Sequence, residues 1–268
     1  MLLRHCAIAL FVLGNLGVYE QETLKETHSE SQVESTTKAH EPISLYRDTY
    51  LLGGYDSSGL SNGGVLKYQL SVKINTVIEG LYFGYTQRSF MDVFADSFPF
   101  YDHNFSPEIF YRPAWVSLKN VYDIQTGLLH ESNGLNAVKS RSWNRVYLEA
   151  RIQFWEFYIR PVLWVPFLSK DNLDVKQVYG FGETTLGLLT PWHIEMSLRC
   201  RLGKTFKKGN LLLDFSMPFT VFDKINPKFA NSQMWFQSFY GQGETLLGLD
   251  RRSLDVAIGI GFRPKLAP

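Results

Sequence analysis

The sequence predicts an all-β protein, a twelve-stranded antiparallel transmembrane β-barrel. Three observations carry that reading. Segments of about ten residues alternate apolar and polar side chains with period two. The first residues read as an export signal. Beyond that signal no apolar run approaches the ~18 residues of a membrane-spanning helix. Composition agrees. Aromatic residues make up 15 % of the 268 residues, with 20 Phe and 14 Tyr, and there are 21 Gly. Aromatics favour strands and glycines favour the turns between them.

The first residues, MLLRHCAIALFVLGNLGVYEQE, place Arg4 and His5 ahead of an apolar core from Ala7 to Val18. That order is expected of a secretory signal over 1–19, with cleavage somewhere from Gly17 to Glu20. A buried N-terminal helix is the alternative. The polar, unpatterned stretch that follows favours the signal. Residues 20–44 are rich in Glu, Ser and Thr and read as a flexible polar lead-in. The barrel is expected over 45–268 with no further domain boundary. Cys6 lacks the small preceding residues of a lipid-anchor site, and its removal leaves Cys200 alone, so neither a disulfide framework nor a Cys metal site is expected. The net charge of +1, from 27 basic and 26 acidic residues, argues against a nucleic-acid partner.

Alternation can be read strand by strand. In RVYLEARIQF, Arg145, Tyr147, Glu149, Arg151 and Gln153 share one parity, and Val146, Leu148, Ala150, Ile152 and Phe154 the other. Lys67, Gln69, Ser71 and Lys73 oppose Tyr68, Leu70, Val72 and Ile74. Met196, Leu198, Cys200 and Leu202 oppose Glu195, Ser197, Arg199 and Arg201, which gives the lone thiol an apolar face. The polar sets mix charges of both signs with amides and Tyr, as expected of a packed, hydrogen-bonded barrel interior rather than an open pore. The spans predicted are 47–56, 65–75, 80–90, 107–116, 120–132, 142–153, 156–166, 178–189, 194–203, 209–219, 231–241 and 253–263. Tight and long connectors mostly alternate, as periplasmic turns and outer loops do. The connector 221–232 is too long for a simple periplasmic turn.

The same parity singles out one place. In VYDIQTGLLHES, Asp123, Gln125 and Glu131 point inward, so His130 and Ser132 point outward with Ile124 and Leu128. In the next strand Asn144 shares the outward parity of Val146 and Leu148. Polar side chains on a lipid face cost free energy, and such a local departure from pattern marks a candidate site. The residue types suit acyl transfer. A serine is a weak nucleophile until a base takes its proton. His130 is on the same face as Ser132, and the Asn144 amide oxygen can hold the imidazole in one tautomer. The amides of the following NGLNA are candidates for an oxyanion site. A polar hairpin tip is the bland alternative.

HESNG followed by SRSWNR, with YTQRSF at 85–90 upstream, resembles the bacterial outer membrane phospholipase A family. The likeness runs from about 45 to 263 and is strongest over 80–155. It implies a twelve-stranded outer-membrane barrel. It also implies a calcium-dependent serine hydrolase of glycerophospholipid acyl esters (phospholipase A1/A2 and lysophospholipase) that acts as a homodimer. By motif position it implies Ser132 as nucleophile, His130 as base and Asn144 as the residue that orients it. The implied Ca2+ ligands are the Leu135 carbonyl, the Ser140 hydroxyl and a serine of the partner protomer that aligns with Ser97. Gln87 matches a glutamine at the family's dimer seam. Ala137 stands where some members carry an acid, which puts any accessory calcium site in doubt.

Other features read as structure. GLSNG at 59–63 fits the nucleophile-elbow pattern but lies in a Gly/Ser loop between strands, not between a strand and a helix. Asp56, Asp92, Asp96 and Asp102 are expected in loops without metal spacing. KTFKK at 204–208 is a short basic tip suited to anionic headgroups. A non-enzymatic barrel, a narrow porin or an adhesin, is the competing function.

Overall fold

A computed structural model describes residues 42–113, 118–167, 173–205, 207–219 and 232–264. The expected signal and most of the polar lead-in lie outside the described residues, as does nearly all of the 221–232 connector. The described strands are β1 (Ile43–Leu45), β2 (Thr49–Tyr55), β3 (Gly64–Asn75), β4 (Leu81–Asp92), β5 (Phe100–Tyr111), β6 (Val121–Ser132), β7 (Ser142–Phe154) and β8 (Phe157–Phe167). A short helix, α1 (Leu173–Tyr179), precedes β9 (Gly182–Leu189), β10 (Glu195–Leu202), β11 (Gly209–Pro218), β12 (Ser232–Gln242) and β13 (Arg252–Phe262).

Every neighbouring pair is antiparallel, and β13 pairs with β2 from Val256↔Tyr55 to Phe262↔Thr49, which closes the sheet. Closure is what a spanning sheet requires, because hydrocarbon offers no partner to an edge N–H or C=O. β1 and β2 both pair with β3, at Leu45↔Val72 and Tyr50↔Gln69. They are one barrel strand interrupted by a bulge at Tyr46–Asp48, so the barrel has the twelve strands expected. The bulge turns Tyr46 into the lumen, where it bonds Glu108 (3.2 Å) and accepts from Gln125 (2.9 Å).

Boundaries differ from expectation at three barrel strands: the first opens at Ile43 rather than 47, the fourth runs Phe100–Tyr111 rather than 107–116, and the eighth starts late. The fourth barrel strand begins at Phe100, not 107, so Asp102 lies in a strand and the loop is only Val93–Pro99. Asp102 and Asn104 are buried inside while His103 on the other face is also polar, so that stretch has no period-two hydrophobic signal. The expected strand from 178 starts instead at Gly182. Val178 and Tyr179 belong to α1, which ends at Gly180 with φ of 62° and a Gly180 N–H to Lys176 C=O bond of 3.1 Å. A glycine in that conformation is a common helix stop.

Outward faces are apolar. Leu128, Val146 and Val165 are 49 %, 45 % and 69 % exposed. Exposed Phe154, Trp155, Phe157 and Trp192 gather at the end with the tight turns, an aromatic girdle at that interface. The interior divides by height. Toward the outer end Trp143, Trp164, Val175, Val178, Tyr179, Leu246 and Leu249 form a buried apolar plug. Burial pushes the Tyr179 hydroxyl up to about 12, so it stays a neutral donor to the Gly243 carbonyl at 3.0 Å. Deeper in the barrel lies a charged cavity of about 430 Å³ whose lining includes Glu149, Arg151, Arg160, Glu183 and Arg199.

The closed outer end does not suit a porin. Two stability outcomes follow. Leu163, 62 % exposed near the middle of β8, faces lipid, so Leu163→Arg should lower the stability of the bilayer-embedded barrel by roughly 2–4 kcal/mol. A negligible change in reversible unfolding would contradict that placement. Inside, Glu131 accepts from Arg145 Nη1 (2.8 Å) and Trp143 Nε1 (3.2 Å). Glu131→Ala leaves that guanidinium uncompensated and should cost about 3 kcal/mol in the same assay, with Glu131→Gln costing less.

Candidate active site

The β6–β7 ladder pairs His130 directly with Asn144 and Ser132 with Ser142. Direct pairing of two outward side chains puts their Cβ atoms about 5 Å apart, and His130 Nδ1 lies 2.9 Å from Asn144 Oδ1. The amide oxygen can only accept, so Nδ1 carries the proton and Nε2 keeps its lone pair. Ser132 is two residues further along the same face. Among the described residues no hydrogen bond joins Ser132 Oγ to His130, which is common for a site without substrate. All three side chains are half-buried, above the apolar band of Leu128 and Val146.

What holds this surface is behind it. The residues alternating with the three are Leu129, Glu131, Trp143 and Arg145. Leu129, Trp143 and Glu131 are 6 %, 1 % and 6 % exposed. Arg145 stacks on Trp143 with 4.0 Å from its guanidinium carbon to the ring centroid while pairing with Glu131. The backbone carrying the outward trio is therefore pinned from the lumen side.

Asn133 follows Ser132, and its buried side chain ties the loop 134–141 together. Its Nδ2 donates to the Lys139 carbonyl (2.8 Å), and its Oδ1 accepts from Arg141 N (2.9 Å) and Leu135 N (3.4 Å). Gly134 takes φ of 66°, and a Cβ there would press on the Phe105 ring. Leu135 and the two residues flanking Ser140 are thus fastened to one side chain. The donors of Leu135 and Ser140 are a carbonyl and a hydroxyl, hard oxygens of the kind calcium takes. Among the described residues no carboxylate/His cluster offers a metal site by itself. A carbonyl and a hydroxyl of this kind would suit a hard cation such as Ca2+. The Ala137 side chain lies outside the described residues.

Arg141 extends the loop's support. Its Nη1 donates to the Ser140 carbonyl (2.9 Å), and its Nε lies 2.9 Å from Asp174 Oδ2 at the start of α1. Sequence reasoning missed both Asn133 and this tether. SNG pointed only to the turn, and the Asp174 signal lay within a segment read as loop and strand.

Ser97 sits exposed in the β4–β5 loop with φ of 64°, at the same outer end as Ser132. Gln87 faces outward on β4, accepting from Tyr85 OH at 2.9 Å. Ser61 of GLSNG bonds Asp56 (3.0 Å) in the loop between β2 and β3, and a strand, not a helix, follows it. Asp56 and Asp92 anchor outer loops: Asp56 accepts from Ser58 N (2.7 Å), and Asp92 from Asn62 N (2.8 Å). Cys200 is half-buried on the outer face of β10.

A family model described as phospholipase A1 matches residues 28–262. Phospholipase A1 of Escherichia coli K12 is 26 % identical over 288 residues, covering 91 % of this chain and 93 % of that protein. A relative from Neisseria meningitidis serogroup B is 27 % identical over 194 residues, 68 % of this chain but 48 % of that protein. Outer membrane phospholipase A from E. coli superposes with a TM-score of 0.73 at 20 % identity, over 83 % of this chain and 94 % of that one. Its active-site variant, with an asparagine changed to alanine, gives 0.73 at 20 % identity over 88 % and 95 %. The Salmonella typhi outer membrane phospholipase, solved as a dimer with bound calcium, gives 0.73 at 22 % identity over 83 % and 92 %. The chain belongs to the phospholipase A1 family, outer-membrane β-barrel enzymes that hydrolyse phospholipids.

Proposed function

We propose that this chain is a calcium-dependent serine hydrolase of glycerophospholipid acyl esters in the outer membrane, with Ser132 as nucleophile, His130 as base and acid, and Asn144 as the residue that orients His130. The observation that carries the reading is the 2.9 Å His130–Asn144 bond on the lipid-facing wall, beside an outward serine. An acyl ester in the outer leaflet lies against the barrel wall, so a lumenal site would never meet it.

His130 Nε2 takes the Ser132 proton as Oγ attacks the ester carbonyl. Collapse of the tetrahedral adduct expels the lysolipid alkoxide, which receives that proton from His130. A water, deprotonated by His130, then attacks the acyl-Ser132 ester and releases fatty acid, returning the proton to Ser132. Asn144 keeps the proton on Nδ1 throughout without a buried negative charge. Backbone amides after Ser132 are candidates to receive the oxyanion. Calcium, when bound by the Leu135 carbonyl and Ser140 with Ser97 from a second protomer, supplies positive charge beside that oxyanion. Homodimerisation would complete that shell, so a lone barrel in an intact membrane stays idle. The calcium-bound dimer of the Salmonella protein and the asparagine of the E. coli active site support this reading.

Ser132→Ala in the folded, purified barrel should abolish lysolipid release. Asn144→Ala should lower kcat by roughly 10²-fold or more while leaving KM near its original value. Undiminished turnover by the serine variant would end the assignment. Chelation of divalent ions should silence hydrolysis in mixed micelles, and added Ca2+ should restore it. Activity indifferent to the chelator would remove calcium from the mechanism and leave the serine chemistry standing.

A further inference from the structure

Outward side chains align in rows across the outer ends of the strands. Gln87, Phe105 and Ser132 lie in one row by the β4–β5 and β5–β6 pairings. One step nearer the outer rim, Tyr68, Ser89 and His103 form the next. Strand rise of about 3.4 Å per residue and strand spacing of about 4.8 Å put the His103 Cα roughly 8 Å from that of Ser132.

These polar groups on an otherwise apolar wall are joined in an ordered chain. Gln87 Nε2 donates to Ser89 Oγ at 3.0 Å, and Ser89 Oγ lies 2.8 Å from His103 Nδ1. Ser89 is fully buried. Ser89 Oγ accepts from the Gln87 amide and, among the described residues, has His103 Nδ1 as its one other partner, so the proton of this buried hydroxyl is satisfied only by donation to Nδ1. His103 therefore carries its own proton on Nε2. The ring is held between Phe100 and Phe105, with centroids 4.9 and 5.7 Å away. Among the described residues Nε2–H has no hydrogen-bond partner. A fixed, outward N–H at the rim, one row above the serine, is left for an acceptor from outside this chain.

We propose that His103 Nε2–H donates to the phosphodiester oxygens of the substrate lipid, making His103 a specificity-determining residue. This rests on the reading of Ser132 as nucleophile. With the ester carbonyl at Ser132 and the acyl chain along the apolar band below, the glycerol and its phosphate extend toward the rim, where His103 is. Ser89 and Gln87 are positioning residues that set the tautomer.

The test uses the full chain, calcium-loaded, in detergent micelles where the substrate carries the only phosphate. Phosphatidylcholine is compared with p-nitrophenyl palmitate, a long-chain ester without phosphate. His103→Phe keeps the ring stack and removes the N–H. It should raise KM for the phospholipid about tenfold, the scale of a hydrogen bond to a charged group, with kcat and the palmitate ester within twofold. His103→Gln, which regains a donor, should recover part of the loss. Ser89→Ala should shift KM in the same direction by less. Equal losses on both substrates, or no change on the phospholipid, would overturn the proposal. Ser132→Ala run alongside separates the two readings: residual turnover there removes the nucleophile assignment, while a dead serine variant beside an unaltered His103→Phe removes only the phosphate contact. Gel mobility of the unheated barrel reports folding, and His103→Gln carries the comparison if the Phe variant misfolds.

Discussion

The backbone ladder between β2 and β13 is the interaction on which the rest of the molecule depends. In hydrocarbon an unpaired strand edge strands its N–H and C=O groups at several kcal/mol each. The first and last strands must therefore meet, and they meet closely. A Cβ at Gly259 would run into the Leu51 carbonyl, and one at Gly54 into that of Val256. Once the ring is closed, every side chain has only two destinations, lumen or lipid. The interior becomes the place for charge pairs and the exterior the place for aliphatic side chains.

That division explains why a hydrolytic site on the outer wall is feasible. Lipid does not hold a loop-borne constellation in place, so the support must come from inside. Glu131, Arg145 and Trp143 are coupled through 2.8 and 3.2 Å hydrogen bonds and a stacked guanidinium. They share backbone with Ser132, His130 and Asn144. The outward trio thus inherits the rigidity of a buried polar network while facing lipid. The loop that follows is secured by one amide side chain, Asn133, and braced against α1 through Arg141 and Asp174. A rigid wall with a tied loop above it holds a serine, a histidine and an asparagine together on one outward face of a single chain.

The plug extends the same logic. Val175, Val178 and Tyr179 of α1, with Leu246 and Leu249, bury an apolar cluster inside the outer end of the barrel. Hydrophobic burial, which the lipid-facing wall cannot supply on its own, is gathered there. It closes the lumen and backs the site, leaving the charged cavity deeper in the barrel.

Period-two patterning by itself determined the barrel, the number of spans and the outward direction of His130, Ser132 and Asn144, because a strand in lipid admits no exception to parity without a reason. The motif around them identified the family. What patterning did not carry is equally physical. The start of β5 was hidden because Asp102 and Asn104 are paired inside while His103 is paired outside, and a strand polar on both faces has no hydrophobic period. α1 was hidden because its apolar side chains pack into a barrel mouth that exists only after closure. The Asn133 knot, the Arg141–Asp174 tether and the Ser89–His103 chain join residues through loops and neighbouring strands. Register, loop path and ring closure decide such contacts, and those are properties of the folded chain.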